Sequence, residues 1–413
     1  MTELLIVILV LVVLARVTGE LMQRLGQLAI LGELLIGIVI GALISYGSFT
    51  QFDGLVENEV FGAFTSLGMF LLMLMAGMEM DVNKLVKASK TGAVVALGGI
   101  LIPLGLGYLI GHIFLPESSY KFVQSFFIGV ALSITAVPAL SRVLIELKQM
   151  DTRLGQTVMN AAIVDDVLGL FLLAILTTLL AEGGSSAAGE MAILAAKIIG
   201  FFIFVFIAGK YLIPQLGRLS TRSHFEEIEF SVAIVIALIF GIAAEYAGMH
   251  FIIGALFAGM FLREETFGKE MAEHLERHVS GITLGFLAPL FFVSIGLHVD
   301  LTALTTVPVF VLVILLAAFA GKLLGCGIPA RLSGFSTKES LAIGVGMNGR
   351  GAVEIVVAVV ALEAGLFTQP VPVPPMVAAV FSGIVIMAII TTIIVPIGMK
   401  PLLKEKEQAP GSR

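Results

Sequence analysis

The 413-residue chain is 58% hydrophobic and only 13% charged, with a net charge of −6 and a mean hydropathy of +1.07. So few charges cannot cover a soluble protein of this length. Composition therefore points to a polytopic protein of the lipid bilayer and gives no sign of nucleic-acid binding or a soluble catalytic domain.

In chain order, hydrophobic windows predict thirteen helices near the ~20 residues that a bilayer requires. They fall at 3–23, 29–46, 61–80, 91–114, 121–147, 154–181, 190–217, 227–247, 250–263, 279–299, 305–331, 338–363 and 374–402. The first starts at once, with no signal peptide to remove. Loops after odd-numbered helices carry Arg24, Lys84, Lys87, Lys90, Lys148, Arg153, Arg218, Arg222, Arg263, Lys269, Arg277, Lys404 and Lys406. Loops after even-numbered helices carry essentially Lys121, beside Asp53, Glu57, Glu59, Glu182 and Glu190. The positive-inside rule then puts the N-terminus outside and the C-terminus in the cytoplasm of a cell (inner) membrane. Tryptophan is absent, so tyrosines and Lys/Arg side chains must anchor the interfaces. The single cysteine, Cys326, excludes an internal disulfide and a multi-cysteine metal site.

Three segment pairs recur at nearly one spacing. Leu35-Ile-Gly-Ile-Val-Ile-Gly-Ala-Leu matches Ile252-Ile-Gly-Ala-Leu-Phe-Ala-Gly-Met at an offset of 217. Leu74-Met-Ala-Gly-Met-Glu-Met-Asp81 matches Val293-Ser-Ile-Gly-Leu-His-Val-Asp300 at 219, and Phe127-Ile-Gly-Val-Ala matches Ala342-Ile-Gly-Val-Gly at 215. Seven helices separate equivalent elements, an odd number, so the halves run in opposite directions across the membrane. The reading is a first six-helix repeat over 1–189, a connector helix over 190–225, a second inverted repeat over 226–402 and a polar tail over 403–413. Inverted repeats of this kind place a transport site at the midplane.

Polar residues at mid-depth carry the function. Asp165 and Asp166 stand side by side in the apolar run Thr157–Leu176, and each carboxylate near a membrane centre costs roughly 2.5–3.5 kcal/mol on insertion scales. The second repeat has Phe381-Ser382 at the matching place, so the pair breaks the scaffold's symmetry. On one helix the two point about 100° apart, so that one can face a cavity while the other meets a partner. Pro138 on helix 5 and Gly349 and Gly351 around Arg350 on helix 12 predict two broken helices that cross at their breaks. Half-helix dipoles there would face an ion, with Ser133, Thr135 and Asn348 adding oxygens. Lys322 is either a partner for the aspartates or a lysine snorkelling to the cytoplasmic surface. Arg350 and Glu354, spaced i,i+4, either join the site or form a purely structural pair. Glu20, Glu33 and Glu245 lie near helix ends and read as interfacial. The six histidines read as bland, with His224, His274 and His278 in cytoplasmic loops and His298 near the outer face, and pH sensing is the lesser alternative for them.

The motifs Ile134-Thr-Ala-Val-Pro138, Ala161-Ala-Ile-Val-Asp-Asp-Val-Leu-Gly169, Phe291-Phe-Val-Ser-Ile-Gly-Leu297, Gly321-Lys-Leu-Leu-Gly325 and Asn348-Gly-Arg-Gly351, in this order, resemble the monovalent cation:proton antiporter superfamily. The closest branch is cation:proton antiporter-2, which includes bacterial sodium/proton antiporters, and the resemblance spans essentially the whole chain. It implies the thirteen-helix sodium/proton antiporter fold, a homodimer built on a dimerisation domain, and a separate core domain. It implies that Asp166 binds Na⁺ (or Li⁺) and carries a proton, that Asp165 pairs with Lys322, and that Thr135 and the helix 5/helix 12 crossover complete the site. Paired aspartates resemble the electrogenic members, whereas Asn-Asp marks electroneutral relatives. The expectation is a sodium/proton antiporter without cofactor or enzymatic activity, with a potassium/proton antiporter as the alternative. A sodium-coupled organic-anion symporter would need a second ion cluster, which the sequence does not offer, and saturable exchange would exclude a channel. Many relatives continue into a cytoplasmic nucleotide-binding domain, whereas this sequence stops after helix 13. It reads as a short sodium-type member or a truncated longer one.

Overall fold

The computed structural model describes residues 2–45, 54–55, 57–80, 89–181, 188–215, 228–262 and 268–403. Within them every regular element is helical. The order is α1 (Thr2–Arg24), α2 (Ala29–Ser45), α3 (Glu59–Glu79), α4 (Lys90–Phe114), α5a (Lys121–Ser133), α5b (Val137–Glu146), α6 (Arg153–Ala181) and α7 (Ala188–Ile207, widening into a π-helical turn, Ala208–Leu212). There follow α8 (Ile228–Tyr246), α9 (Phe251–Phe261), α10 (Lys269–Ile282, a π-helical turn Thr283–Leu287, then Ala288–Leu297), α11 (Pro308–Leu332), α12a (Thr337–Gly346), α12b (Ala352–Glu363) and α13 (Pro375–Leu403). Counting the two broken helices once each, the described residues hold the predicted set of thirteen, with one further helical turn, Ala303–Thr306, before α11. Among the described residues nine helices are long and apolar enough to span a membrane, and α2, α5a and α9 are shorter apolar helices.

Local chemistry sets several boundaries. Ser89 Oγ accepts the Gly92 N–H at 3.0 Å to start α4, and Asn58 Oδ1 accepts from Val60 and Phe61 at 3.1 Å to start α3. Ser336 and Glu339 form a reciprocal capping box at the start of α12a. One prediction was short: α10 begins ten residues before position 279, because 269–278 is an amphipathic stretch with too many charges to register as apolar.

The helices sort into two interleaved bundles rather than into one half of the chain after the other. α1, α2 and α3 pack with α8, α9 and α10, a group called the scaffold bundle below. α4, α5a, α5b and α6 pack with α11, α12a and α13, the core bundle, while α12b lies between α6 and α13 on one side and α3 on the other. Scaffold helices meet at backbone distance. A Cβ on Gly37 of α2 would sit 2.3 Å from the Val293 oxygen of α10, and one on Gly77 of α3 would sit 2.0 Å from the Leu256 oxygen of α9. Under the 217–219 offset α2 corresponds to α9 and α3 to α10, so these two close packings are images of each other.

Glu33, read from its position as interfacial, is 4% exposed and lies 3.9 Å from Arg16 across α1 and α2. The Arg16 guanidinium also donates to the Leu284 carbonyl in the π-helical turn of α10. A buried carboxylate needs such a counter-charge. The interfacial reading failed because sequence position does not show which helix covers a face. Asp53, Asp81, Lys84, Lys87, Glu182, Arg218, Arg222, His224, Arg263 and the tail from Lys404 lie outside the described residues.

Candidate functional site

The site is built on two interrupted helices. Pro138 has no N–H to bond the carbonyl four residues back, that of Ile134, and its ring would strike that carbonyl. The helix therefore stops at Ser133, runs extended through Ile134 and Ala136, and restarts with Pro138 in the first turn of α5b, where no N–H is needed. The break thus precedes the proline that causes it. The second interruption spans Met347–Gly351, with Gly351 in an extended conformation before α12b.

The two breaks cross, as the sequence predicts. The Ala136 N–H donates to the Gly349 carbonyl at 2.8 Å, and Thr135 Oγ1 donates to the Met347 carbonyl at 3.0 Å. Close approach requires a glycine here: a Cβ on Gly351 would lie 2.6 Å from that of Ala136.

A helix end leaves its last four carbonyls without helical partners. At the end of α5a two cations take all four. Arg350 donates to Ala131 at 2.9 Å, to Leu132 at 2.8 Å and to Ile134, and Lys322 of α11 donates to Ser133. This corrects the expectation that the dipole of this half-helix faces the transported ion. Its negative end is already spent on protein cations, because burying four bare carbonyls would cost far more. Arg350 lies 216–219 residues from these partners, close to the spacing at which the segment pairs recur in the sequence.

Lys322 is 0% exposed, so it does not snorkel, and its Nζ lies 3.2 Å from Asp165 Oδ1. Asp165 is likewise 0% exposed, and its other oxygen has no hydrogen-bond partner. Asp166, one residue on, is half-buried and makes neither a hydrogen bond nor an ion pair among the described residues. The twin aspartates have thus separated into one paired and one free carboxylate, as their angular offset on a helix permits. Asp165, Lys322 and Glu79, the last on α3 of the scaffold bundle, all act electrostatically on Asp166. Glu79 went unremarked in the sequence, where it sits among methionines near a helix end.

The remaining predicted residues divide. Ser133 Oγ donates to the Val130 carbonyl at 2.8 Å within its own helix, and the side chain is 0% exposed. It is therefore a back-bonded helix residue rather than a ligand facing the site. Asn348 donates to Gly344 at 3.1 Å, which leaves its Oδ1 buried and unpartnered. Arg350 Nε lies 3.6 Å from Glu354 Oε2, and Glu354 is 1% exposed with neither oxygen hydrogen-bonded. The pair exists, yet its arginine also grips another helix, so it is not purely intrahelical. Thr392 of α13 was missed altogether. Its hydroxyl accepts the Arg350 N–H at 3.0 Å and donates to Ala388 at 2.7 Å, holding the break of α12 from outside.

A family model described as sodium/hydrogen exchanger, transmembrane, matches residues 7–405. The chain is 32% identical to the Na⁺/H⁺-K⁺ antiporter GerN of Bacillus cereus over 395 residues, covering 95% of each. It is 29% identical to a Na⁺/H⁺ antiporter of Enterococcus hirae over 401 residues, covering 96% of this chain and 98% of that one. Among solved structures, the sodium proton antiporter MjNhaP1 of Methanocaldococcus jannaschii superposes with a TM-score of 0.70 at 18% identity, over 98% of this chain and all of the other, a likeness of fold.

Proposed function

The chain belongs to the sodium/hydrogen exchanger family, and from that premise we propose an electrogenic Na⁺/H⁺ antiporter in which Asp166 holds the cation or the proton in turn. Exchange of a monovalent cation for protons across a membrane is the activity of the family. The observation that carries the residue assignment is the unpaired Asp166 beside two buried, self-compensating pairs, Asp165 with Lys322 and Arg350 with Glu354. Two positive and two negative charges cancel. Asp166 is left as the one charge that must be neutralised before the core bundle can pass through a low-dielectric barrier. One Na⁺ or one proton does this, and the empty carboxylate does not, which couples the two fluxes without a nucleotide or other cofactor.

In the cycle, cytoplasmic Na⁺ displaces the proton on Asp166 and draws on the unspent acceptors at the crossing, Asp165 Oδ2 and Asn348 Oδ1. Thr135, with lone pairs left after its bond to Met347, borders the same crossing. The loaded core bundle then moves against the scaffold bundle, and external protons release the ion. On the return limb a second proton goes to Asp165 while Lys322 keeps its charge, so the core carries one net positive charge inward. Both protons leave to the cytoplasm as Na⁺ binds and the Asp165–Lys322 pair re-forms, which makes the exchange electrogenic. The N-terminus lies outside and the C-terminus inside a cell (inner) membrane, following the Lys/Arg loops. A homodimer forms on the scaffold side, where α1 leaves Leu5, Leu9, Val13 and Val17 uncovered for lipid or a second copy.

The test is Na⁺-, Li⁺- and K⁺-driven dissipation of a pH gradient in proteoliposomes, with and without a clamped voltage, for wild type and Asp166→Asn. Voltage-sensitive Na⁺ exchange that is lost in the variant is the expected result. Normal transport by Asp166→Asn would sink the assignment. The potassium reading has one specific motive, the K⁺ in the description of GerN, and a K⁺ response indifferent to voltage would establish it.

A further inference from the structure

At the end of the molecule far from Glu79, one ionisable contact joins the two bundles. His250 stands at the start of α9 in the scaffold bundle, and Glu363 is the last residue of α12b. His250 Nε2 and Glu363 Oε2 are 3.5 Å apart. The imidazole is held from the scaffold side: its ring centroid lies 4.6 Å from that of Phe251, which stacks on Phe70 of α3 at 6.0 Å. Nδ1 is buried without a hydrogen-bond partner, so the contact of this ring runs through Nε2. Both side chains remain reachable by water, with 20% and 44% of their surfaces exposed. The helix between the crossing and Glu363 has 12 residues, so the pair lies roughly 18 Å along α12b from its start at the crossing, at 1.5 Å per residue. It belongs to neither charge pair of the transport site.

We propose that His250 and Glu363 form a second proton-binding site, separate from the transport carboxylates and open to the outer face, whose occupation latches the core bundle to the scaffold. The proposal rests on the orientation and moving core described above. Histidine changes charge between pH 5 and 8. Neutral imidazole at 3.5 Å from a carboxylate is a weak contact, whereas imidazolium and carboxylate form a charge-assisted bond. The other ionisable groups at the described helix ends on this face include Glu57 and Glu59 at the start of α3, Glu245 in the last turn of α8, His112 in the last turn of α4, and His298 and Asp300 just after α10. Lys121 of α5a is taken by Glu117 at 2.5 Å. α12b continues from the crossing that α5 and α12a of the core bundle carry, so when the loaded core moves outward Glu363 travels with it, His250 stays, and the bond must break. External acid therefore slows the conformational step itself, a regulatory effect that opposes the driving force of the proton gradient and that Na⁺ does not compete away.

The step is isolated by ²²Na⁺/Na⁺ self-exchange at saturating Na⁺ in proteoliposomes of uniform orientation, with internal pH held at 8 and external pH set to 8 or 6. Wild type is expected to slow about five-fold at pH 6, the difference between a neutral and a charge-assisted hydrogen bond. His250→Gln and Glu363→Gln should change less than about two-fold between the two pH values, on the same reasoning. His250→Lys, cationic throughout, should be slow at both. Both positions are water-accessible and at element ends, so folding is not at stake. A His250→Gln protein that keeps the wild-type slowing, or a His250→Lys protein as fast as wild type at pH 8, overturns the latch. Slowing by internal instead of external acid overturns the orientation beneath it. Absence of Na⁺ self-exchange in the wild type would instead sink the transport reading.

Discussion

Thr392→Val isolates what holds the break of α12 in place. Valine keeps the shape of threonine and removes the one acceptor that the buried Arg350 N–H reaches, at 3.0 Å. The Ala388 carbonyl, which also loses a donor, stays within its own helix ladder, and the Arg350 carbonyl, 3.2 Å from the hydroxyl, loses its alternative donor, so the cost is at least that of one orphaned backbone N–H, about 1–3 kcal/mol. Thr391 supplies the control. Its hydroxyl bonds only Met387 at 2.9 Å and Ala388 at 3.1 Å in its own helix, so Thr391→Val should cost no more than ~0.5 kcal/mol. Cys326, fully buried, gives a readout: a thiol-reactive fluorophore labels it only as the protein opens. Thr392→Val should open at lower temperature than Thr391→Val, and a displaced crossing should raise the Na⁺ concentration for half-maximal exchange on the order of ten-fold. Equal opening temperatures and equal Na⁺ dependence in the two variants would refute the account of Thr392.

Lys322→Met should destabilise the protein by about 3–5 kcal/mol, since it strands Asp165 in a fully buried place and uncaps Ser133. Adding Asp165→Asn should recover much of that loss, and a double-mutant cycle with coupling under ~0.5 kcal/mol would show that the two do not act as a pair. Gly37→Ala puts a methyl 2.3 Å from the Val293 oxygen and should prevent the close packing of α2 on α10. Gly105→Ala, with nothing within 4 Å of its Cβ, should be neutral or stabilise α4 by about 0.5–1 kcal/mol. Thermal opening, read through Cys326, should fall for Gly37→Ala and stay level or rise for Gly105→Ala; similar effects would contradict the helix packing.

The aspartates, the two breaks and the span count were legible in the chain because each arises from neighbours within a few residues. An apolar run long enough to cross a bilayer forms a helix wherever it sits, and a proline removes the same backbone bond in any context. Two adjacent carboxylates in such a run announce themselves by their cost. The partners were not legible. Ser133 turned inward to Val130, Lys322 divided itself between Asp165 and a helix end, and Thr392 and His250 gained roles from helices remote in sequence. A rotamer or a hydrogen bond across more than a hundred residues depends on which helix faces cover one another, and two-bundle interleaving decides that. Hydrophobic pattern says only that a face is covered, because lipid and protein interior are equally apolar to it. Burial favours a partner for each polar group, and only the assembled structure shows that Asp165 pairs with Lys322 while Asp166 makes neither an ion pair nor a hydrogen bond among the described residues.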